Sequence, residues 1–233
     1  MRIFVCVKQV PDTSGVVAVN PDGTLNRASM QTIINPDVLI AMEQALVLKD
    51  NTGCQVTAVT MGPPPAEGML RELLAMGADD AILISAREFG GSDTFATSQI
   101  ISAAINHVGY SDEDMIFCGR QAIDGDTAQV GPQIAEKLGL PQISYAAEIV
   151  KEGNEVTVKR MLEDGYMKIK VQTPCLITCI SDQDSKARYM TLNGINHCYE
   201  KPYLVLDFEA LKDEPLIELD KIGLKGSDRK SVV

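Results

Sequence analysis

Over roughly the first 140 residues, short apolar runs alternate with longer stretches whose apolar residues recur at helical spacing. Arg2 to Val7 is a near-continuous apolar run, the pattern of a strand covered on both faces in a parallel sheet. Val16 to Arg27 alternates weakly around Asn20-Pro21-Asp22-Gly23, which predicts a small hairpin flap. Asn35-Pro36-Asp37 then reads as a helix start, with Asn as N-cap, Pro at the first helical position and Asp in the first turn. Val38, Leu39, Met42, Ala45 and Leu46 form the stripe of that helix. A second strand, Gln55 to Met61, ends in Gly62-Pro63-Pro64-Pro65, a stiff turn with no amide donors at its prolines. The next helix carries Met69, Leu70, Leu73 and Leu74 and closes at Gly77. Ala81 to Ser85 is a third strand, followed by a helix with Ala96, Ile100, Ile101, Ala104 and Ile105 inward. A fourth strand, Asp114 to Cys118, leads to a helix with Val130, Ile134 and Leu138 on one face and Gly139 at its end. Such alternation predicts an α/β fold, a doubly wound and mostly parallel sheet that binds its ligand at the C-terminal edge of the strands.

After Pro141 the texture changes. Gln142 to Val150, Glu155 to Arg160, Met167 to Val171 and Cys175 to Ile180 are strand-like runs separated by turn residues, and predict antiparallel additions to the sheet. Ser185 to Ile195 has no period and predicts a loop leading to a short helix; Tyr203 to Phe208 is a last strand-like run. Residues 1–208 therefore read as one domain. Glu209 to Val233 is thinly hydrophobic, and is expected to be an extended C-terminal arm laid over a partner subunit.

Composition narrows the chemistry. The chain has 233 residues, 45% hydrophobic and 23% charged, with no Trp, which suits one sizeable aliphatic core. Its net charge of -11 opposes nucleic acid and anionic membranes, since both demand clustered Lys and Arg. No apolar run approaches the roughly 20 residues of a membrane span, and Met1 leads straight into a strand, so a cytoplasmic protein is expected. The six cysteines are scattered and read as buried thiols; Cys175 and Cys179 share one side of a strand without a third metal ligand nearby. His107 and His197 stand at no nucleophile-partner spacing, which argues against a hydrolase triad.

The candidate chemistry sits in Cys118-Gly119-Arg120-Gln121-Ala122-Ile123-Asp124-Gly125-Asp126-Thr127-Ala128-Gln129-Val130-Gly131-Pro132. A strand, a tight turn and a helix start aim unpaired N–H groups and the positive helix end at one point, which suits a phosphate. An ordinary strand-to-helix turn has the same spacing, and neither GxGxxG nor the P-loop pattern is present. Asp126 is expected to cap the helix, and Asp124 to accept from ribose hydroxyls or loop amides.

This stretch resembles the signature of the electron-transfer flavoprotein β subunit. The likeness continues through Val7-Lys8-Gln9-Val10-Pro11-Asp12-Thr13, Ile34-Asn35-Pro36-Asp37, Thr60-Met61-Gly62-Pro63-Pro64 and Arg188-Tyr189-Met190-Thr191-Leu192, covering nearly the whole chain in order. The form Asp124-Gly125-Asp126-Thr127-Ala128-Gln129-Val130-Gly131-Pro132 resembles the electron-bifurcating and nitrogen-fixation-associated branches rather than the housekeeping branch. The resemblance implies an adenine-nucleotide α-hydrolase-like fold holding FAD, its diphosphate on the amides of Asp124 to Gly131 with a hydroxyl from Thr127. Val130 replaces a hydroxyl-bearing residue of the housekeeping branch, so its contact would come from its N–H. By the same resemblance Cys6, Asn35, Asp37 and Met61 line the adenosine or flavin path, and the proline loop borders the cavity where NADH arrives. The resemblance also implies that the segment of about 185–196 is a recognition loop, with Arg188, Tyr189 and Leu192, and that Leu192 plugs a pocket on the partner dehydrogenase; from the residues alone, Leu192 could equally fold into its own domain.

Three functions follow. The first is the β subunit of a bifurcating complex, partnered by an α subunit that carries its own FAD. It takes hydride from NADH and sends electrons to ferredoxin or flavodoxin and to an FAD-dependent dehydrogenase, such as an acyl-CoA dehydrogenase. The second is a housekeeping subunit holding structural AMP in the same pocket. The third is a nucleotide-binding regulatory module, a homodimer binding ATP or AMP, for which the Arg188 to Ile195 loop and the sparse arm have no use.

Overall fold

The computed structural model describes residues 1–12, 32–181 and 186–226. The hairpin flap expected around Asn20-Pro21-Asp22-Gly23 lies outside these residues, as do Thr13, Ser185 and the chain end from Asp228.

Strand β1 (Arg2–Cys6) runs into an antiparallel ribbon of β2 (Gln9–Pro11) and β3 (Thr32–Ile34). The expected alternation follows: α1 (Pro36–Thr52), β4 (Gln55–Met61), α2 (Glu67–Met76), β5 (Asp80–Ile84), α3 (Thr94–Val108), β6 (Met115–Gly119) and α4 (Val130–Leu138). Strands β7 (Gln142–Glu152), β8 (Glu155–Met161), β9 (Tyr166–Gln172) and β10 (Cys175–Cys179) come next. Helix α5 (Leu192–His197), β11 (Tyr203–Leu206) and α6 (Phe208–Leu211) follow, and a 3-10 turn at Gly223–Lys225 comes last among the described residues.

Among the described residues these strands form a nine-stranded sheet in the order β11-β5-β4-β1-β6-β10-β7-β8-β9. Alternate residues of each core strand serve opposite faces. Ile3 and Val5 pack with Val38, Met42, Leu70 and Leu73 of α1 and α2, while Phe4 and Cys6 pack with Ile100, Ile101 and Ile134 of α3 and α4. The chain lays α1 and α2 on one face and then crosses to the other with α3, so β1 is flanked by β4 on one side and by β6 on the other. That reversal opens a crevice at the C-terminal ends of β1 and β6.

One strand departs from the expected arrangement. The runs after Pro141 are antiparallel only at the far edge, in the pairs β7 with β8 and β8 with β9. The last of them, β10, is parallel to both β6 and β7 and lies between them. Every residue from Cys175 to Cys179 is buried, so this strand must be covered on both faces, whereas β8 and β9 alternate and need cover on one. The described part of the C-terminal segment packs in places on its own chain. Leu211 and Ile222 are buried against the α3 face, Gln99 Nε2 donates to the Glu218 carbonyl at 3.3 Å, and His107 Nδ1 lies 2.8 Å from Glu214. Two well-placed aliphatic side chains, each contributing about 1.5–3 kcal/mol on burial, hold down a segment that is otherwise polar.

Candidate functional site

The crevice holds a cavity of about 410 Å³. Its floor is the ends of β1 and β6, through Cys6, Val7 and Cys118, and its wall is the loop from Gly119 to Gly131. Of the residues expected from sequence, Cys6, Asn35, Met61, Gly125, Asp126, Thr127, Ala128, Gln129, Val130 and Gly131 line it. Asp37 and Asp124 do not.

Two features fix the loop. Gly119 passes so close to the start of α1 that a Cβ there would lie 2.8 Å from the backbone of Asp37 and Val38. Asn35, wholly buried, uses its side chain to span the loop rather than to cap α1: Nδ2 donates to the Gln121 carbonyl at 2.8 Å and Oδ1 accepts from Ile123 N–H at 3.0 Å. Its expected place at the helix start is correct, but the capping bond is absent. The first-turn Asp37 faces the back of the site, with Oδ2 3.2 Å from Arg120 Nε in a charge contact out of line for a hydrogen bond.

The turn itself corrects the capping role expected for Asp126 and shows where Asp124 is engaged. Helix α4 begins at Val130, with Gln129 ahead of it and no side-chain cap. Asp126 and Ala128 are left-handed (φ 48° and 53°), a conformation no right-handed helix includes, so the turn consumes residues up to Gln129. Asp126 accepts instead from Gln121 Nε2 at 2.8 Å. Asp124 grips Lys8 at the end of β1, with Nζ 2.8 Å from each carboxylate oxygen. Held there, Lys8 contributes to the cavity lining.

What the turn leaves free is its backbone. Among the described residues, the N–H groups of Thr127, Ala128, Gln129, Val130 and Gly131 donate to no acceptor; the next amide in use is that of Gln133, on the Gln129 carbonyl. Successive amides freed by left-handed residues at a helix start form an anion-binding concavity, and each strained non-glycine residue costs about 1–3 kcal/mol. Lys8 and Arg120 add cations to the same lining, which makes the site fit a phosphorylated ligand. Arg120 directly follows β6 and Lys8 comes two residues after β1; that position near a strand end was the available signal, and sequence reasoning assigned them no role. Thr94, at the start of α3, was also missed, and its hydroxyl donates to Gln129 Oε1 at 2.9 Å.

The floor is chemically quiet. Cys6 and Cys118 face each other across β1 and β6, and contact with Cys6 together with burial pushes the Cys118 thiol well up. Burial does the same to Cys179, and to Cys175, which is pushed up to about 12. All six cysteines are buried and none is in a disulfide, so they serve as packing groups. A second cavity, about 550 Å³, meets the first at Met61 and Ser92 and is walled by Gly62, Pro63, Pro64 and Phe89.

The segment expected to recognise a partner lies elsewhere, across α1 and α2. Tyr189 and Leu192 are 92% and 78% exposed, whereas Arg188 turns inward and binds Glu43 and Asp50 of α1. The hydrogen bonds to Glu43 hold its guanidinium protonated. Arg188 is thus an internal anchor, and the exposed pair is presented to solvent.

The electron transfer flavoprotein domain matches residues 22–191. Among similar proteins, the acryloyl-CoA reductase electron transfer subunit gamma of Anaerotignum propionicum is 80% identical, over 97% of this chain and 85% of its own length. The CarD subunit of the caffeyl-CoA reductase-Etf complex of Acetobacterium woodii is 49% identical, over 92% and 81%. The electron transfer flavoprotein subunit beta of Clostridium acetobutylicum is 47% identical, over 99% and 86%. With a mostly parallel α/β sheet, an amide-lined crevice at its point of reversal and relatives similar across nearly the full chain, this polypeptide belongs to the electron transfer flavoprotein family, as a β-type subunit.

Proposed function

We propose that the crevice binds FAD and that the chain works in an NADH-oxidising, electron-bifurcating complex with an electron transfer flavoprotein α subunit. The observation that carries this reading is the run of unpartnered amides from Thr127 to Gly131, placed beside Lys8 and Arg120. These groups would hold the diphosphate: the amides and the start of α4 supply oriented positive dipoles, and the two side chains supply charge. The adjoining second cavity favours a dinucleotide over AMP, because a mononucleotide needs only the first. Its walls of Met61, Pro63, Pro64 and Phe89 would exclude water from a flat ring system and leave one side for NADH. Once bound, FAD would take up a hydride as an electron pair and release electrons singly, to ferredoxin or flavodoxin and, through the α-subunit FAD, to an FAD-dependent dehydrogenase such as an acyl-CoA dehydrogenase. The chain's part is to bind, orient and keep a floor of buried thiols under the ligand.

The exposed Tyr189 and Leu192 would meet that dehydrogenase, and the acryloyl-CoA and caffeyl-CoA reductase names of two relatives point to an acyl-CoA-type partner. No helix of the described residues is long and apolar enough to cross a membrane, which suits the cytoplasmic complex we propose. The test is the content of the complex purified with its α subunit. About two FAD per heterodimer are expected. One FAD with one equivalent of AMP would replace this reading with the housekeeping one.

A further inference from the structure

Residues 186–201 are tied to the two helices on one face of the sheet at a series of points. Glu43 Oε2 accepts from the Arg188 backbone N–H at 2.9 Å, and the same carboxylate accepts from Arg188 Nε at 3.0 Å and from Nη2 at 2.9 Å. Nη2 also donates to Asp50 at 2.8 Å, from a position further along α1. Glu43 therefore fixes the path of the backbone as well as the side chain, which a surface ion pair between two flexible side chains does not do. Further along, a Cβ on Gly194 would lie 2.0 Å from the Ala75 carbonyl oxygen, so α5 rests directly on the end of α2. Thr191 Oγ1 accepts from Gly194 N–H at 2.9 Å and starts α5. Lys201 Nζ donates to the Leu74 and Ala78 carbonyls at 2.8 Å and 2.6 Å, closing the far end. Between these anchors stand Tyr189 and Leu192, apolar side chains left almost wholly to solvent.

We propose that Glu43 and Asp50 are positioning residues for partner docking: by holding Arg188 they set the course of residues 186–195 in the free chain, so that Leu192 is presented in its docking position before the partner arrives. The inference rests on the docking reading given above. A segment already ordered forfeits little freedom on association, so the clamp lowers the dissociation constant without touching the partner. Arginine is required because its planar fork reaches two carboxylates at once, which an ammonium on the shorter lysine stem does not reproduce.

The test uses the complex of this chain with its α subunit and, as the docking probe, the acryloyl-CoA reductase of Anaerotignum propionicum. The dissociation constant is measured by surface plasmon resonance, and amide exchange of residues 186–195 is measured in the free complex. Glu43→Gln combined with Asp50→Asn leaves Arg188 in place but unclamped. The expected result is a rise of about tenfold in the dissociation constant together with faster exchange of these amides. Arg188→Ala should do the same, Arg188→Lys should fall between, and the exchanged pair Arg188→Glu with Glu43→Arg should recover part of the loss. If the Glu43→Gln, Asp50→Asn complex binds as tightly as the parent or tighter while Arg188→Ala weakens it, Arg188 acts by direct contact and the proposal is overturned. It is overturned equally if exchange is unchanged in the unclamped variant. Leu192→Ala separates the two levels: if it weakens binding and the clamp variants do not, only the positioning role fails. If Leu192→Ala leaves binding intact, the docking reading fails and this proposal with it.

Discussion

The loop from Gly119 to Gly131 and the segment from Arg188 to Lys201 are built on the same helix and end up as opposites. Both touch α1: Asn35 at its start pins the first, and Glu43 and Asp50 along its length pin the second. Both approach a helix end through a glycine, Gly119 against the start of α1 and Gly194 against the end of α2. In the first, Asn35, Asp124 and Asp126 find partners and the backbone is left open, with a row of amides beside a cavity. In the second, Glu43 takes the Arg188 amide and Thr191 that of Gly194, while apolar side chains are left open. The difference teaches what each can bind. Unsatisfied donors in a sheltered crevice want an anion, and a projecting Leu and Tyr want an apolar pocket on another protein.

The sharpest way to break the comparison is to add one methyl group to each glycine. Gly119→Ala sets a Cβ against backbone that cannot move, in a strand buried in the sheet, and should cost about 3 kcal/mol with loss of bound nucleotide. Thermal unfolding and nucleotide content of the purified complex will read it. Gly194→Ala makes the closer clash, yet α5 lies on the surface and can lift away, so global stability should fall by only about 1 kcal/mol. Faster amide exchange confined to residues 186–201 is the accompanying sign. Equal effects at the two sites would remove the distinction between a core anchor and a surface one.

Asn35→Leu comes next. It leaves the Ile123 N–H and the Gln121 carbonyl without partners in a buried place, and should lower stability by about 2 kcal/mol, measured by denaturant midpoint, while loosening the nucleotide loop. Partner binding should be nearly unchanged, because the clamp on α1 is separate. Lys8→Met removes a cation from the cavity lining and frees Asp124, so nucleotide affinity should drop about tenfold and lose part of its salt dependence. An unchanged dissociation constant by calorimetry would exclude Lys8 from phosphate binding. The smallest effect is expected at Ala128. Its left-handed backbone is strained, so Ala128→Gly should keep the cradle and shift the stability of the nucleotide-free chain by about 1 kcal/mol or less, in the stabilising direction. A marked loss of binding there would mean that the methyl group itself touches the ligand.

Much of the site was legible because it is local. Gly125 to Gln129 follow one strand and lead into the helix that Val130 and Gly131 begin, so their approximate placement at a strand's C-terminal edge needs no knowledge of distant residues. The aspartate roles were not legible for the opposite reason. Asp124 chooses Lys8, 116 residues away, and Asp126 turns to Gln121 because its own backbone is left-handed. Cys175 to Cys179 is apolar at every position but Thr178, yet the hairpins before it suggested another antiparallel edge. Its continuous burial shows that the run was the better guide.

The sequence by itself determined the alternating elements, the parallel core and the position of the amide-rich turn, since periodicity and glycine and proline placement act over a few residues. Only the tertiary structure decided that β10 inserts beside β6, that Lys8 meets Asp124, and that Arg188 folds back 145 residues onto α1. Those pairings depend on strand order and on which face each helix takes. They are settled by the packing of the whole core, where no local pattern records which charged side chain will find which partner.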